Sequence, residues 1–189
     1  MKKSVCHFSS YSIPDDKIPI PELLKDKDKR ADLPARIAVL AADHMLSKIT
    51  DIDLCALNII TVNREGCAAH IEKVSAGIQN HQPAQGFFVR GGPQTLATYT
   101  ALALGSHGAA FTFVGDQKVL AEAISTAVYL TRAMKNSTTL LIVIVKGDIM
   151  GYQANTVLIH NSKESTEMPS AALEQEIHAH LSLAFIQDK

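Results

Sequence analysis

Residues 109–125, AAFTFVGDQKVLAEAIS, place an apolar run directly before a Gly-Asp pair and a helical pattern. This arrangement puts residue 117 at the start of a helix, where free backbone N–H groups stabilise an anion. Enzymes use such positions for a nucleophile, because a cysteine there ionises readily. Residue 117 is glutamine, whose amide neither ionises nor attacks. By its type alone, Gln117 is either an ordinary residue behind the N-cap Asp116 or part of a polar pocket.

A second segment with possible chemistry is RGGPQT, residues 90–95. Its two glycines and proline precede a helical pattern, so the backbone there could cradle a phosphate, with Arg90 adding positive charge. The segment lacks the GxGxxG and Walker patterns that make such a site specific. A small α/β enzyme that binds an acyl or phosphate group through Arg90 and this turn is therefore one open alternative.

The remaining reactive side chains form no recognisable constellation. The eight histidines are scattered without an HExxH pattern, and His178 and His180 are two residues apart, which places them on different sides of a helix. The three cysteines contain no CxxC pair, so they are expected to be reduced thiols. No GxSxG motif is present. We therefore expect neither a metal site nor a cofactor.

The composition is that of a globular domain. The chain has 189 residues, of which 47% are hydrophobic, and a net charge of -1, which gives no basic footprint for nucleic acid or an anionic membrane. The longest apolar run, residues 140–145, is too short to cross a bilayer. We expect a cytoplasmic protein with one core domain over residues 1–160, followed by a linker and an amphipathic helix over residues 161–189.

Hydrophobic periodicity predicts an alternation of strands and helices. The expected fold is α/β, with a sheet covered by helices on both faces and functional residues beyond the carboxyl ends of the strands. Both the turn at 115–117 and the segment 90–95 fall at such positions. Strands are predicted over residues 4–9, 54–63, 109–115, 137–148 and 154–161, and helices over residues 34–48, 64–80, 93–108, 116–136 and 171–187.

Residues 87–148 resemble the N-terminal half of β-ketoacyl synthases, which have the thiolase fold. Residues 93–95 stand where that family begins a helix with Pro-Asn-Met, and GSHGAA (105–110) stands at its Gly-x-x-Gly-Pro stretch. Gly115 and Asp116 then occupy the family's Ser/Thr-Ala positions, and Gln117 falls on the nucleophilic cysteine. The resemblance implies half of a ketosynthase fold, with a mixed sheet covered by helices.

A glutamine at the nucleophile position is typical of chain-length factors, the catalytically inactive partners in type II polyketide synthases. The short chain is similar to the chain-length factors of aryl polyene clusters, and it stops where the second half, with its two acyl-handling histidines, would begin. The resemblance implies a subunit without catalytic residues that forms a heterodimer with a full-length β-ketoacyl synthase, in polyene, polyketide or fatty-acid-like biosynthesis. Acyl carrier protein would be an indirect partner. A homodimeric scaffold is a further alternative.

The resemblance also implies which residues touch the partner. Ketosynthases pair through the strand before the cysteine, and an unpaired apolar edge needs a companion. A missing second half would leave an apolar face, part of which the helix over 171–187 is expected to cover. The interface strand comprises Ala110, Phe111, Thr112, Phe113 and Val114. The residues expected to border the partner's acyl tunnel are Gln94, Thr95, Thr98 and Tyr99.

Overall fold

The computed structural model describes residues 3–14, 17–24, 31–66, 68–81, 92, 94–133, 137–147, 151–162 and 169–186. The order of its strands and helices is the predicted one. The strands are β1 (Lys3–Ile13), β2 (Leu57–Asn63), β3 (Ala110–Val114), β4 (Thr138–Gly147) and β5 (Gly151–Ser162). The helices are α1 (Leu33–Leu46), α2 (Ala68–Gln79), α3 (Thr95–Leu104), α4 (Gln117–Ala133) and α5 (Ser170–Ile186).

The five strands form one mixed sheet in the order β1-β5-β4-β2-β3. Strand β2 pairs in parallel with both β3 and β4, whereas β5 pairs antiparallel with β4 and β1. Within the described residues, β1 and β3 therefore form the two edges of the sheet. The carboxyl ends of the three parallel strands meet at one end, which is where the sequence predicted the functional residues.

Helices cover both faces of this sheet, as predicted. On one face α1 and α3 pack against the strands, in a cluster that includes Ile37, Leu96 and Ile142. On the other face α4 and α5 bury a second cluster, which includes Ile124 and Val143. The central strand β4 is buried on both faces, which explains its uninterrupted apolar sequence.

The helix boundaries follow the local signals of the sequence. Asp32 caps α1, because its side chain accepts a hydrogen bond from the backbone N–H of Ala35 (3.0 Å), and Pro34 lies in the first turn. Helix α3 ends at Gly105, whose φ of 69° is the left-handed conformation that favours glycine. The helix therefore ends before residue 108, the end of the predicted range.

Among the elements whose bounds differ from the prediction, three show a local reason for the difference. Strand β1 extends to Ile13, because it pairs with β5 along its whole length, up to Tyr152. Strand β2 begins at Leu57 and not at residue 54, because the Asp53 side chain accepts the N–H of Cys55 and forms a short 3₁₀ turn. Helix α2 begins at residue 68 and not at residue 64, because a tight turn follows β2.

Helix α5 covers the sheet on the same face as α4. It contributes three fully buried side chains to the core beside α4: Leu173, Ile177 and Leu181. Two side-chain contacts join the helices, from the Ser125 hydroxyl to the Glu174 carboxylate (3.1 Å) and from Arg132 to Ser170. The chain thus supplies its own cover for this face. The large exposed apolar side chains that the structure describes lie elsewhere, on α2, α3, β3 and α4, and at Leu33 and Leu54.

Candidate functional site

The turn between β3 and α4 brings Gln117 to the start of a helix, as the sequence predicted. Gly115 has a φ of 149°, and its N–H donates to the carbonyl oxygen of Asn63 (3.2 Å). A methyl group at Gly115 would lie 2.6 Å from Cγ2 of Val119, so the turn requires glycine. Gln117 is the first residue of α4, and its side chain is exposed.

Asp116 acts as the N-cap of α4. Its side chain accepts the backbone N–H of Lys118 (3.0 Å), and its carbonyl oxygen accepts the N–H of Leu120 (3.1 Å). The cap therefore occupies part of the hydrogen-bonding capacity that free N–H groups would offer to an anion. Gln117 is an amide at a capped helix start, which can donate and accept hydrogen bonds but cannot form an acyl intermediate.

Strand β3 is an exposed edge strand. The N–H of Ile59 donates to the carbonyl oxygen of Ala109 (2.8 Å), and the N–H of Gly115 donates to Asn63. Because the backbone groups of successive residues point to opposite sides of a strand, the odd-numbered residues of β3 face β2. The groups that point away from the sheet belong to Ala110, Thr112 and Val114.

The side chains of β3 combine an internal anchor with an apolar surface. The Thr112 hydroxyl contacts the Thr61 hydroxyl (2.8 Å) and accepts the N–H of Ala97 (3.3 Å), which ties the strand to β2 and α3. Phe113 packs against the core on the α4 side. Phe111 and Val114 are 45% and 41% exposed. The edge is thus fixed in position and carries apolar side chains in solvent.

The four predicted tunnel residues on α3 divide into two pairs. Thr95 and Tyr99 are both 8% exposed and face the interior, where Tyr99 lies in a cluster with Leu24. Gln94 and Thr98 are exposed, and the Thr98 hydroxyl donates to the Gln94 carbonyl oxygen (2.9 Å). Leu102, one turn further on, is 46% exposed. Among the described residues of this segment, Gln94, Thr98 and Leu102 form an outward row that is most exposed to another molecule.

Several predictions fall outside the described residues. Arg90, Gly91 and Pro93, which the alternative acyl- or phosphate-binding enzyme requires, are among them. Of that segment, the structure describes Gly92, whose carbonyl oxygen accepts the Thr95 hydroxyl (2.8 Å). Within the described part of the chain, no group of three or more His, Cys, Asp or Glu side chains is placed to hold a metal ion.

The sequence analysis missed exposed apolar residues on α2. Ile71 and Ile78 are 61% and 64% exposed, and they share a face with Val74. The signal was present in the sequence, since residues three and seven positions apart lie on one side of a helix. The sequence analysis predicted a helix over residues 64–80 and assigned no role to this stripe. The structure instead leaves it in solvent.

The helices were also compared with the requirements of a membrane span. Over the ranges that the structure describes, no helix is both long enough and apolar enough to cross a bilayer.

The half-buried pair His7 and His160, on β1 and β5, lies well away from the turn at Gln117. Their Nε2 atoms are 3.2 Å apart. Burial, followed by the positive charge of His7, lowers the pKa of His160 below its ordinary value.

Comparison with solved structures finds a similar chain in the complex of the ketosynthase ApeO with its chain length factor ApeC from Xenorhabdus doucetiae. The TM-score is 0.61 at 12% sequence identity, and the match covers 86% of this chain and 75% of the other, so the two chains have comparable lengths. No family model matches the sequence. No curated protein matches it either. The five-stranded mixed sheet between helices, together with this similarity, gives the chain a thiolase-like α/β fold of the ketosynthase type.

Proposed function

We propose that the chain is a non-catalytic chain-length factor subunit, which pairs with a full-length, active β-ketoacyl synthase and shapes that enzyme's acyl tunnel. The product would belong to polyene, polyketide or fatty-acid-like biosynthesis. Acyl carrier protein would reach this subunit only indirectly, through the ketosynthase. The observation that carries the proposal is a glutamine at the first position of the helix that follows an exposed edge strand.

The chemistry of the turn supports the non-catalytic part of the proposal. Covalent acyl transfer needs a side chain that attacks a thioester and then holds the acyl group. Gln117 offers neither ability, and Asp116 already caps the helix. In this role the turn has the strand-to-helix backbone of a nucleophile site, and Gly115 allows the sharp turn into α4. The side chain at position 117 is an amide and not a nucleophile.

The edge strand supports the partner. Strand β3 pairs with β2 on one side, and three of its residues direct backbone N–H and carbonyl groups away from the sheet. A partner strand would satisfy these groups and cover Phe111 and Val114. The similar solved structure is itself a ketosynthase in complex with a chain length factor. By analogy, we assign the companion strand to a ketosynthase.

The outward row of α3 supports a role in shaping the tunnel. Gln94 and Thr98 are exposed beside the edge strand, so they are the residues of this helix that can reach a cavity in the partner. Tyr99 would act from behind, by fixing the position of the helix against α1. Thr95 would fix the start of the helix, since its hydroxyl donates to the Gly92 carbonyl oxygen. Bulk added at Thr98 would then shorten the chains that the complex makes.

The test is co-expression with a full-length β-ketoacyl synthase from the organism that encodes this chain, followed by affinity purification and an assay for condensation of malonyl units. We expect equal amounts of the two subunits, condensation by the complex, and none by the isolated chain. Val114→Pro should abolish pairing with the ketosynthase, because proline lacks the outward N–H that would bond the partner strand. This N–H makes no bond within the chain's own sheet, so the sheet itself should keep its pairing. Val114→Ala loses the same side chain but keeps that N–H, so it is the matched control.

Two results would refute the proposal. If the isolated chain condensed malonyl units, it would be an enzyme. If it formed a stable homodimer and bound no ketosynthase, it would be the scaffold that the sequence left open.

A further inference from the structure

We propose that α2 is a docking helix, whose apolar stripe of Ile71, Val74 and Ile78 binds an apolar groove on the same ketosynthase that pairs with β3. This inference rests on the proposed function and adds a second contact surface to it. It concerns affinity for the partner, whereas the outward row of α3 concerns the length of the product.

The stripe has the spacing of a core-facing helix, but its described side chains are not buried. Its three residues are spaced by three and four positions, so they lie on one side of α2. Ile71 is 61% exposed and Ile78 is 64% exposed, with Val74 half-buried between them. No side chain described on α2 is buried, whereas α1 buries seven residues along one face. Two isoleucines in solvent on one helix face indicate a surface that another molecule covers.

The turn before α2 holds the start of the helix beside the edge strand. Asn63, at the end of β2, is 5% exposed, and its side chain bonds the turn twice. Its Oδ1 accepts the N–H of Glu65 (2.8 Å), and its Nδ2 donates to the carbonyl oxygen of Gly66 (3.3 Å). Gly66 has a φ of 59°, and a methyl group there would lie 2.9 Å from Cγ1 of Val114. The helix therefore begins two residues beyond a turn that touches the end of β3.

The size of the edge strand explains why a second surface is needed. A stable heterodimer buries roughly 800 Å² on each partner and involves about 20–30 residues a side. Strand β3 has five residues, so its pairing supplies only part of such an interface. The stripe of α2 is exposed apolar surface on a helix that begins two residues beyond the turn touching the end of β3. A molecule paired with β3 is the one best placed to cover it, and the fixed turn reduces the ordering that binding requires.

The experiment measures affinity for the full-length ketosynthase that co-purifies with the unaltered chain. Ile71→Ala and Ile78→Ala remove the apolar surface and preserve the helix, since alanine is the best helix former. We expect each substitution to weaken binding about tenfold, and the double variant about a hundredfold. Because neither side chain is buried in the isolated chain, its melting temperature should stay unchanged. The matched control is Tyr129→Ala, which removes a 68% exposed side chain from α4 and should leave binding within about twofold.

The outcomes separate this inference from the function on which it rests. If the unaltered chain binds no ketosynthase, both are overturned. If Val114→Pro abolishes binding while the double α2 variant binds as the unaltered chain does, the docking role is wrong and the proposed function stands. If the double variant loses self-association and retains ketosynthase binding, the stripe belongs to a second copy of this chain, and the inference is again overturned.

Discussion

Replacing Ile177 by alanine tests whether α5 is the element that closes the sheet. Ile177 is fully buried in the cluster formed by α4, α5 and the strands. The substitution removes three carbons from that cluster without adding a polar group. Alanine also has a higher helix propensity than isoleucine, so any loss of stability must come from packing and not from the helix itself.

The expected loss follows from this burial. Each buried carbon contributes about 0.8 kcal/mol by transfer from water, which gives about 2.4 kcal/mol for three. A residual cavity adds to this, so we expect the free energy of unfolding to fall by about 3 kcal/mol, within the range of roughly 2–5 kcal/mol for such changes. Since a domain is stable by only about 5–15 kcal/mol in total, this is a large fraction.

The assay is equilibrium urea unfolding of the purified chain, followed by far-UV circular dichroism and fitted with a common slope. Gln175→Ala is the control, because Gln175 lies in the same helix with its side chain exposed. The control should stay within about 0.5 kcal/mol of the unaltered chain. If Ile177→Ala also stayed within that margin, α5 would not be part of the cooperative core, and the conclusion that it covers this face of the sheet would be wrong.

Three further predictions concern single positions. Gly108→Ala should destabilise the chain by about 1–3 kcal/mol in the same urea assay, since a methyl group there would lie 2.2 Å from a backbone oxygen of the first residue of β2; an unchanged midpoint would contradict this. The lowered pKa of His160 means that its stabilising contribution is present above pH 6.5 and is lost as the pH falls below that value, so the urea midpoint should decrease between pH 7 and pH 5, and less so in His160→Gln. Burial raises the pKa of the Cys6 thiol to about 12, so iodoacetamide should alkylate the exposed Cys55 well before Cys6 in peptide mapping, and equal rates would count against the described packing.

The order of strands and helices could be predicted because each apolar strand is bounded by turn residues and each helix carries a visible apolar face. What the sequence could not provide is the pairing between distant segments. Strand β1 is longer than predicted because Ile13 pairs with Tyr152, 139 positions away, and its serine-rich second half gives no local sign of a strand. The position of β3 at the edge likewise follows from its pairing with β2 alone, which local periodicity does not encode.

For the candidate site, the position of Gln117 could be predicted from the sequence, but the side-chain directions on α3 could not. The Gly-Asp pair fixed the start of α4 and the position of Gln117, since both residues have defined roles at a helix entry. The directions of Thr95 and Tyr99 were not predictable. Helix α3 carries small and apolar residues on every side, so its pattern does not distinguish the face toward α1 from the face toward solvent. For Tyr99, packing against Leu24 and α1 decides this, and that contact is remote in sequence.

The carboxylate that caps α4 also bears on how a thiol would behave at the same helix start. Suppose that Gln117→Cys placed one there. The sulfur would have to lose its proton next to the Asp116 carboxylate, in competition for the Lys118 N–H that already donates to that carboxylate. The cap therefore opposes formation of the thiolate. If the chain has the supporting role proposed above, one exchange at position 117 would not be enough to make it a catalyst.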